Sequence, residues 1–328
     1  MHSIHYERAG SIDDAIRLAQ QPATKFIGGG TNLLDLMKGG VEQPLLLVDI
    51  SRLALADITE LPDGGVRIGA LASNTDAANH ALIRQRYPVL SQALLAGASP
   101  QLRNMATVGG NLLQRTRCHY FYDTAFDSCN KRMPGSGCAA REGINRIHAI
   151  LGASEHCVAV HPSDMAVALA ALDAAVRVQG PQGERVIALN DFHTLPGDTP
   201  QRDTTLEPGE LITAIDLPAS PFAAHSHYLK IRDRASYAFA LVSVAAAIDL
   251  DGGTVREVRL ALGGVAHKPW RAFEAEQALQ GKALDSAALE NAAALAVRDA
   301  RPLAHNGFKI ELARRAVIRA IRKAGGIA

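Results

Sequence analysis

The stretch that decides the fold reads Lys25-Phe26-Ile27-Gly28-Gly29-Gly30-Thr31-Asn32-Leu33-Leu34-Asp35-Leu36-Met37-Lys38. Three glycines separate a short β-type run from an apolar helical pattern, so the stretch predicts a strand, a tight turn and a helix. Glycine permits positive φ and leaves backbone N–H groups bare at the start of the helix, which suits a phosphate group. Thr31 or Asn32 is expected to cap that helix. A plain glycine turn between a strand and a helix explains the same residues equally well.

A second glycine loop, Thr107-Val108-Gly109-Gly110-Asn111, follows the donor-rich run Ser99-Pro100-Gln101-Leu102-Arg103-Asn104. Two such loops in one chain predict a clamp on a phosphate or a pyrophosphate. Neither common nucleotide-binding template fits the first loop. No Gly-Lys-Ser/Thr closes it, and Asn32 and Leu33 follow where a Rossmann fingerprint needs its third glycine. Kinase and Rossmann functions are therefore disfavoured.

Composition bounds the possible functions. The chain has 328 residues, 48% of them hydrophobic and 20% charged, so it can bury the cores of two domains. Its 34 Lys and Arg balance 33 Asp and Glu, and a net charge of +1 predicts neither a nucleic-acid nor a membrane partner. Residues 1–7 lack the basic and apolar regions of a signal peptide, and no uncharged run reaches the roughly 20 residues that span a bilayer. We expect no export signal on this chain.

Strand and helix patterns alternate along the chain and predict the α+β class. They divide it into an N-terminal domain at 1–218, with lobes at about 1–58 and 59–218, and a C-terminal domain at 222–328. Pro218-Ala219-Ser220-Pro221 marks the predicted boundary. In the second domain, strand patterns around the turn Asp251-Gly252-Gly253 precede helical patterns, which predicts a β-meander with a helical layer. An insertion at about 115–160 shows neither helical nor strand periodicity.

All four cysteines lie in that insertion: Cys118, Cys129, Cys138 and Cys157. Disulfides require an oxidising compartment, for which the N-terminus gives no indication, and zinc sites usually contain Cys-x-x-Cys pairs, which this sequence lacks. A 4Fe-4S cluster takes four thiolates and tolerates irregular loops. The residues alone favour such a cluster, and they leave zinc and inert buried cysteines as alternatives.

Charged and imidazole side chains surround the cysteines in the sequence. Five basic residues are expected to offset the charge of a cluster and to keep the thiols deprotonated: Arg115, Arg117, Lys131, Arg132 and Arg141. His119 and His156 adjoin cysteines, and we expect them to lie behind the ligands, with direct ligation as the alternative.

The loop pair GGGTN and TVGGN resembles that of the flavin-binding subunits of molybdenum hydroxylases, the relatives of xanthine dehydrogenase and carbon monoxide dehydrogenase. The resemblance covers essentially the whole chain. It implies the two-lobed fold of vanillyl-alcohol oxidase and an FAD whose pyrophosphate is held by both loops. The residues that it implies as FAD contacts are Lys25, Phe26, Ile27, Gly28, Gly29, Gly30, Thr31, Asn32, Leu33, Thr107, Gly110, Asn111, Asp164, Ile212 and Lys230.

The cysteine insertion is similar to that in the FAD subunit of bacterial aromatic aldehyde oxidoreductases of the periplasmic type, which carries a 4Fe-4S cluster. This resemblance implies that Cys118, Cys129, Cys138 and Cys157 are the ligands. It also implies two partners in a heterotrimer, a molybdenum-cofactor subunit that oxidises an aldehyde and a 2Fe-2S subunit that relays electrons. Assembly would take place in the cytoplasm, followed by export to the periplasm on the signal of a partner.

No catalytic residue is expected on this chain, because it contains no Ser-His-Asp set, HExxH motif or acid pair at a predicted cleft. The predicted function is electron transfer through FAD to an external acceptor, with the chemistry carried by cofactors. A stand-alone flavin oxidase and a zinc-stapled binding module without flavin are the alternatives.

Overall fold

The computed structural model describes residues 3–327, and it contains both helices and strands, which confirms the α+β class. The first elements are β1 (His5–Arg8), α1 (Ile12–Leu18), β2 (Thr24–Ile27), α2 (Leu33–Lys38) and β3 (Leu46–Asp49). The strands form a parallel sheet in the order β1-β3-β2. Ser11 caps α1 by accepting the backbone N–H of Asp14 at 3.1 Å. The central strand β3 is buried along its whole length, as is usual for a parallel strand covered on both faces.

The second lobe is built on an antiparallel sheet. Its elements are β4 (Ile58–Glu60), β5 (Val66–Gly69), α3 (Asn74–Asn79), α4 (Ala81–Arg86), α5 (Pro88–Ala96), α6 (Pro100–Met105), α7 (Val108–Leu112), α8 (His119–Tyr122), α9 (Asp164–Ala171), β6 (Ala175–Gly180), β7 (Gly183–Ala188), α10 (Leu189–Phe192) and β8 (Leu211–Leu217). The strand order is β4-β5-β8-β6-β7. Several of these helices have only four to six residues and were not predicted, because hydrophobic periodicity needs a window of about 11 residues.

The C-terminal part contains the predicted meander and its helices. Its elements are β9 (Ser226–Ile231), β10 (Val242–Asp251), β11 (Thr254–Gly263), β12 (Trp270–Arg271), α11 (Phe273–Leu279), α12 (Ser286–Ala296) and α13 (Phe308–Ala324). The sheet is antiparallel in the order β12-β11-β10-β9, and β12 adds a two-residue strand that the sequence pattern did not predict. Gly252 and Gly253 have φ of +57° and +89°, which explains glycine in the β10–β11 turn.

The meander packs directly on the N-terminal lobe. Tyr228, Ala245 and Ala261 of the meander belong to the same buried cluster as the side chains of α9. A Cβ atom on Gly263 would lie 2.5 Å from a methyl group of Val167, so β11 approaches α9 as closely as a glycine allows. This contact brings β9 of the C-terminal part beside the start of α9.

The cysteine insertion forms a small core of its own against the first lobe. Cys129 and Cys138 face each other in an isolated antiparallel bridge. Cys118, Cys129 and Cys157 are buried together with Phe121 and with Leu36 from α2. The insertion therefore packs on the helix that follows the first glycine loop.

Candidate functional site

The two glycine loops lie against each other. A Cβ atom on Gly29 would be 1.7 Å from the backbone oxygen of Met105 and 2.6 Å from its carbonyl carbon. One on Gly28 would be 3.3 Å from Thr107 Oγ1. Because Gly29 touches backbone, any side chain there would push the loops apart. The structure thus brings together the two segments that the sequence assigned to one clamp, and their role as a clamp stays a prediction.

The two loops differ in the backbone donors that they offer. The N–H groups of residues 108–111 are all used internally, by the carbonyl oxygens of Ala72, Ala70 and Thr107 and by Thr107 Oγ1. By contrast, the N–H groups of residues 29–32 donate no hydrogen bond to any acceptor in residues 3–327. Residues 108–111 of the second loop therefore offer no free backbone donor to a ligand. The first loop holds the free donors.

The asparagines of the loops connect them to other elements. Asn32 lies at the N-cap position of α2, but its side chain makes no capping hydrogen bond. Its Nδ2 donates to the hydroxyl of Tyr122 at 3.0 Å, and its Oδ1 accepts the backbone N–H of Arg115 at 2.9 Å. Asn32 thus occupies one of the two positions predicted for the cap, but the predicted capping by its side chain is wrong, because the insertion uses both polar atoms. In the second loop, Asn111 Oδ1 accepts from Ser163 Oγ at 2.6 Å.

A buried ion pair joins α9 to the meander. Lys230 Nζ lies 2.7 Å from Asp164 Oδ2, and the two side chains are 5% and 8% exposed. The hydroxyl of Tyr228 donates to Asp164 Oδ1 at 2.6 Å, and burial raises the pKa of Tyr228 well above its ordinary value, so the hydroxyl keeps its proton. Lys230 also donates to the carbonyl oxygen of Ala96 at 3.1 Å. Ser163 caps α9, which leaves the Asp164 carboxylate free for this network.

We expect Lys230→Met to lower the free energy of unfolding by about 3–5 kcal/mol, because it leaves a buried carboxylate without its cation. The double variant Lys230→Met, Asp164→Leu should recover much of that loss, since no buried charge remains. Urea unfolding measures the free energy of unfolding of the single and the double variant. Flavin-free protein is used, because a bound ligand would add to the apparent stability. As a control, Arg298→Met breaks an exposed ion pair with Glu274 and should leave the midpoint nearly unchanged. Equal stability of Lys230→Met and the double variant would contradict this expectation.

The remaining predicted FAD contacts occupy varied positions. Ile212 is buried inside the core on β8, opposite Val178 of β6. Lys25 is half exposed on β2 and lies 3.4 Å from a carboxylate oxygen of Glu42. Partly buried residues of the same segment are Phe26, Ile27, Gly28, Gly30, Thr31 and Leu33. Their contacts with a flavin, like that of Ile212, stay predictions.

All four cysteines line one cavity. Cys118, Cys129 and Cys157 are buried, Cys138 is partly buried, and Thr116, Phe121, Ser128 and Lys131 complete part of the wall. The four thiols are unpaired. Among residues 3–327, no group of three or more His, Cys, Asp or Glu side chains has the geometry of a metal site. The thiols therefore share a space without converging on one point.

Burial affects the pKa values of the thiols more than the basic residues do. Burial raises the pKa of Cys118 to about 12 and that of Cys157 to about 11, with the charge of Lys131 opposing the rise at Cys157. Lys131 Nζ lies 2.5 Å from Asp203 Oδ1, and Arg115 pairs with the same carboxylate. At Cys157 the charge of Lys131 acts in the predicted direction, but burial outweighs it, and the effect of these cations on thiolates that ligate a cluster stays a prediction. The other basic residues named from the sequence also contact groups within the chain: Arg117, Arg132 and Arg141.

Sequence reasoning missed the histidine that contacts a cysteine. His148 Nε2 lies 3.1 Å from Cys118 Sγ, and its ring is buried. His119 is exposed, and the ring of His156 lies 3.3 Å from a carboxylate oxygen of exposed Asp198. His148 is 30 residues from Cys118, so no local spacing could have indicated the contact.

Two family matches follow this architecture. Residues 2–220 match the FAD binding domain in molybdopterin dehydrogenase, and residues 227–324 match the CO dehydrogenase flavoprotein C-terminal domain. The chain therefore belongs to the FAD-binding medium subunits of the molybdenum hydroxylase family, which are oxidoreductase flavoproteins. The match to the FAD binding domain supports FAD as the cofactor, as the family resemblance implies.

Individual relatives agree with this family. The chain is 53% identical over 332 residues to the aldehyde oxidoreductase FAD-binding subunit PaoB of Escherichia coli (strain K12), with 99% of each chain covered. It is 28% identical to the carbon monoxide dehydrogenase medium chain of Afipia carboxidovorans, covering 90% of this chain and 85% of that one. The solved structure of reconstituted CO dehydrogenase from Oligotropha carboxidovorans contains a chain with a TM-score of 0.79 at 26% identity, covering 100% and 99%. The predicted flavoprotein fold is confirmed.

The helices of residues 3–327 include none that combines the length and the apolar character needed to cross a bilayer.

Proposed function

We propose that this chain is the electron-transfer subunit of a heterotrimeric, molybdenum-dependent aldehyde oxidoreductase and carries FAD and one 4Fe-4S cluster. A molybdenum-cofactor subunit would oxidise the aldehyde, and a 2Fe-2S subunit would relay electrons to this chain, which passes them to an external acceptor. The relative that is 53% identical over nearly its full length is an aldehyde oxidoreductase subunit, which supports this class of substrate.

The observation that carries the proposal is the connection between the two candidate cofactor sites. Helix α2 begins where the first glycine loop ends, and its Leu36 is buried in the same cluster as Cys118. The helix has six residues, which corresponds to a length of roughly 9 Å. Asn32 adds a second link, because its side chain hydrogen-bonds to Tyr122 of the insertion. A short, rigid path thus separates the loop proposed for FAD from the cavity proposed for the cluster.

The residues of the first loop fit a pyrophosphate. Free N–H groups at residues 29–32, with no side chain at Gly29 or Gly30, can approach phosphate oxygens closely. The second loop would contribute packing and the side chains of Thr107 and Asn111, and Asp164 and Lys230 would contact FAD from α9 and β9. The further contacts proposed for this site are Lys25, Phe26, Ile27, Gly28, Thr31, Asn32, Leu33, Gly110 and Ile212. When bound, FAD supplies the redox chemistry, and the chain holds and orients it.

The cysteine cavity fits a cluster by the chemistry of its donors. Four unpaired thiols line it, and four thiolates are the ligand count of a 4Fe-4S cluster. The thiols do not converge in the structure, but rotation about χ1 redirects a sulfur atom without moving the backbone. We propose that Cys129, Cys138 and Cys157 turn toward the cluster in this way, while Cys118 keeps its present position beside His148. Metal binding would displace the thiol protons, which burial otherwise retains.

The proposal predicts that the purified chain contains flavin and iron but does not oxidise aldehydes. Oxidation of the aldehyde requires a catalytic metal or base, and the sequence contains no Ser-His-Asp set, HExxH motif or acid pair at a predicted cleft that would supply one. Aldehyde should bleach the flavin absorbance only after the molybdenum and 2Fe-2S subunits are added. Bleaching in the single chain would instead indicate a stand-alone flavin oxidase, and zinc without flavin would indicate a binding module.

Export to the periplasm with a partner subunit stays a prediction. Fractionation of cells that produce all subunits, with and without the signal of the partner, tests it: a cytoplasmic location in both cases would contradict export.

A further inference from the structure

We propose that His148 is a positioning residue of the cysteine cavity, which donates a hydrogen bond from Nε2 to the Cys118 sulfur and thereby raises the reduction potential of the bound cluster. This inference rests on the proposed 4Fe-4S cluster, and it concerns a residue that is not one of the four cysteines.

The contact is short and enclosed. His148 Nε2 lies 3.1 Å from Cys118 Sγ, and the histidine is 1% exposed. The ring of Tyr120 lies beside the imidazole, with 6.2 Å between the ring centroids. A metal-bound thiolate has no hydrogen to give, so the hydrogen of this contact must come from the imidazole. The imidazole therefore acts as the donor whenever Cys118 ligates iron.

The C-terminal part of the chain fixes the backbone of His148. Its carbonyl oxygen accepts from Lys309 Nζ at 2.8 Å and from Asn306 Nδ2 at 3.2 Å. Both of these side chains are completely buried. Lys309 also donates to the carbonyl oxygen of Gly264. Because α13 and the segment before it hold the backbone of His148, its side chain starts from a fixed point within reach of the Cys118 sulfur.

The expected direction follows from charge. Reduction adds an electron to the cluster, and an N–H group aimed at a ligand sulfur stabilises the more negative state. Hydrogen bonds to the sulfurs and solvent exclusion are known determinants of iron–sulfur potentials. The two act in opposite directions, because exclusion of water disfavours the more negative reduced state. His148→Leu removes the hydrogen-bond donor but keeps the position apolar and buried, so the cluster should become harder to reduce.

The experiment is a redox titration of the iron–sulfur EPR signal in the purified full-length chain. His148→Leu should keep its iron and show a lower midpoint potential than the wild type, whereas His148→Gln, which retains an N–H donor, should lie between them. His119→Leu is the matched control, because His119 adjoins the same cysteine but is exposed, and its midpoint should not move.

An unchanged midpoint in folded His148→Leu would overturn the inference, and so would loss of iron from that variant, which would make His148 a ligand. If the variant does not fold, pulsed EPR of protein labelled with 15N-histidine decides, with His156→Leu as the background because His156 also lines the cavity. A weak nitrogen coupling should persist there, and its absence or a coupling of ligand strength rejects the hydrogen bond. A wild-type chain without iron would refute the proposed cluster itself, which is a different outcome from an unshifted midpoint.

Discussion

Gly29→Val is expected to release FAD from the chain and reduce the flavin content of the purified protein by about tenfold or more, equivalent to at least about 1.4 kcal/mol of binding free energy. The reason is steric. The first carbon of any side chain would lie 1.7 Å from the backbone oxygen of Met105, and backbone cannot rotate away as a side chain can. The loops must separate, and the free N–H groups of residues 29–32 then lose their orientation toward a pyrophosphate.

Absorbance near the flavin maximum, combined with chromatography of the cofactor released on denaturation, measures this effect and distinguishes FAD from FMN. Gly10→Ala is the matched control, because no atom lies within 4 Å of the added carbon and the residue is exposed. Circular dichroism establishes whether both variants are folded. Full flavin content in folded Gly29→Val, or release of FMN from the wild type, would refute the assignment of the first loop.

Cys157→Ser is expected to remove nearly all iron from the anaerobically purified chain. A 4Fe-4S cluster needs four ligands, and a serine hydroxyl is a poor replacement for a buried thiolate. The chain has no fifth cysteine that could take over, because Cys118, Cys129, Cys138 and Cys157 are its only cysteines. Elemental analysis for iron and zinc measures the result, and flavin content reports on the remainder of the fold.

Ser128→Ala provides the control for that experiment. Ser128 lines the same cavity but has no thiol, so this variant should retain its iron. Zinc in the wild type, in place of iron, would reject the cluster and favour a structural metal site. Unchanged iron in Cys157→Ser would exclude Cys157 as a ligand.

The sequence by itself determined the class of this protein. Gly28, Gly29 and Gly30 between a strand and a helix, and a second glycine pair before Asn111, are local patterns that depend on a few neighbouring residues. The α+β class follows from periodicity over single elements in the same way. The restriction of all four cysteines to one segment is also a property of the linear chain. Each of these features can be recognised without knowing which other segments of the chain it contacts in the folded protein.

The tertiary structure decided which groups act on one another. Thr31 or Asn32 was expected to cap α2. Asn32 lies at the cap position, but its side chain bonds to Tyr122, 90 residues away, because the insertion folds back onto the first loop. Lys230 and Asp164 form an ion pair although they are 66 positions apart in the sequence. His148 contacts the sulfur of a cysteine that is 30 positions away. Spacing along the chain contains no information on such contacts, because they depend on how separate elements pack. The physical reason is that backbone conformation is set by near neighbours, whereas burial, pKa and the choice of hydrogen-bond partner are set by whatever the fold places alongside.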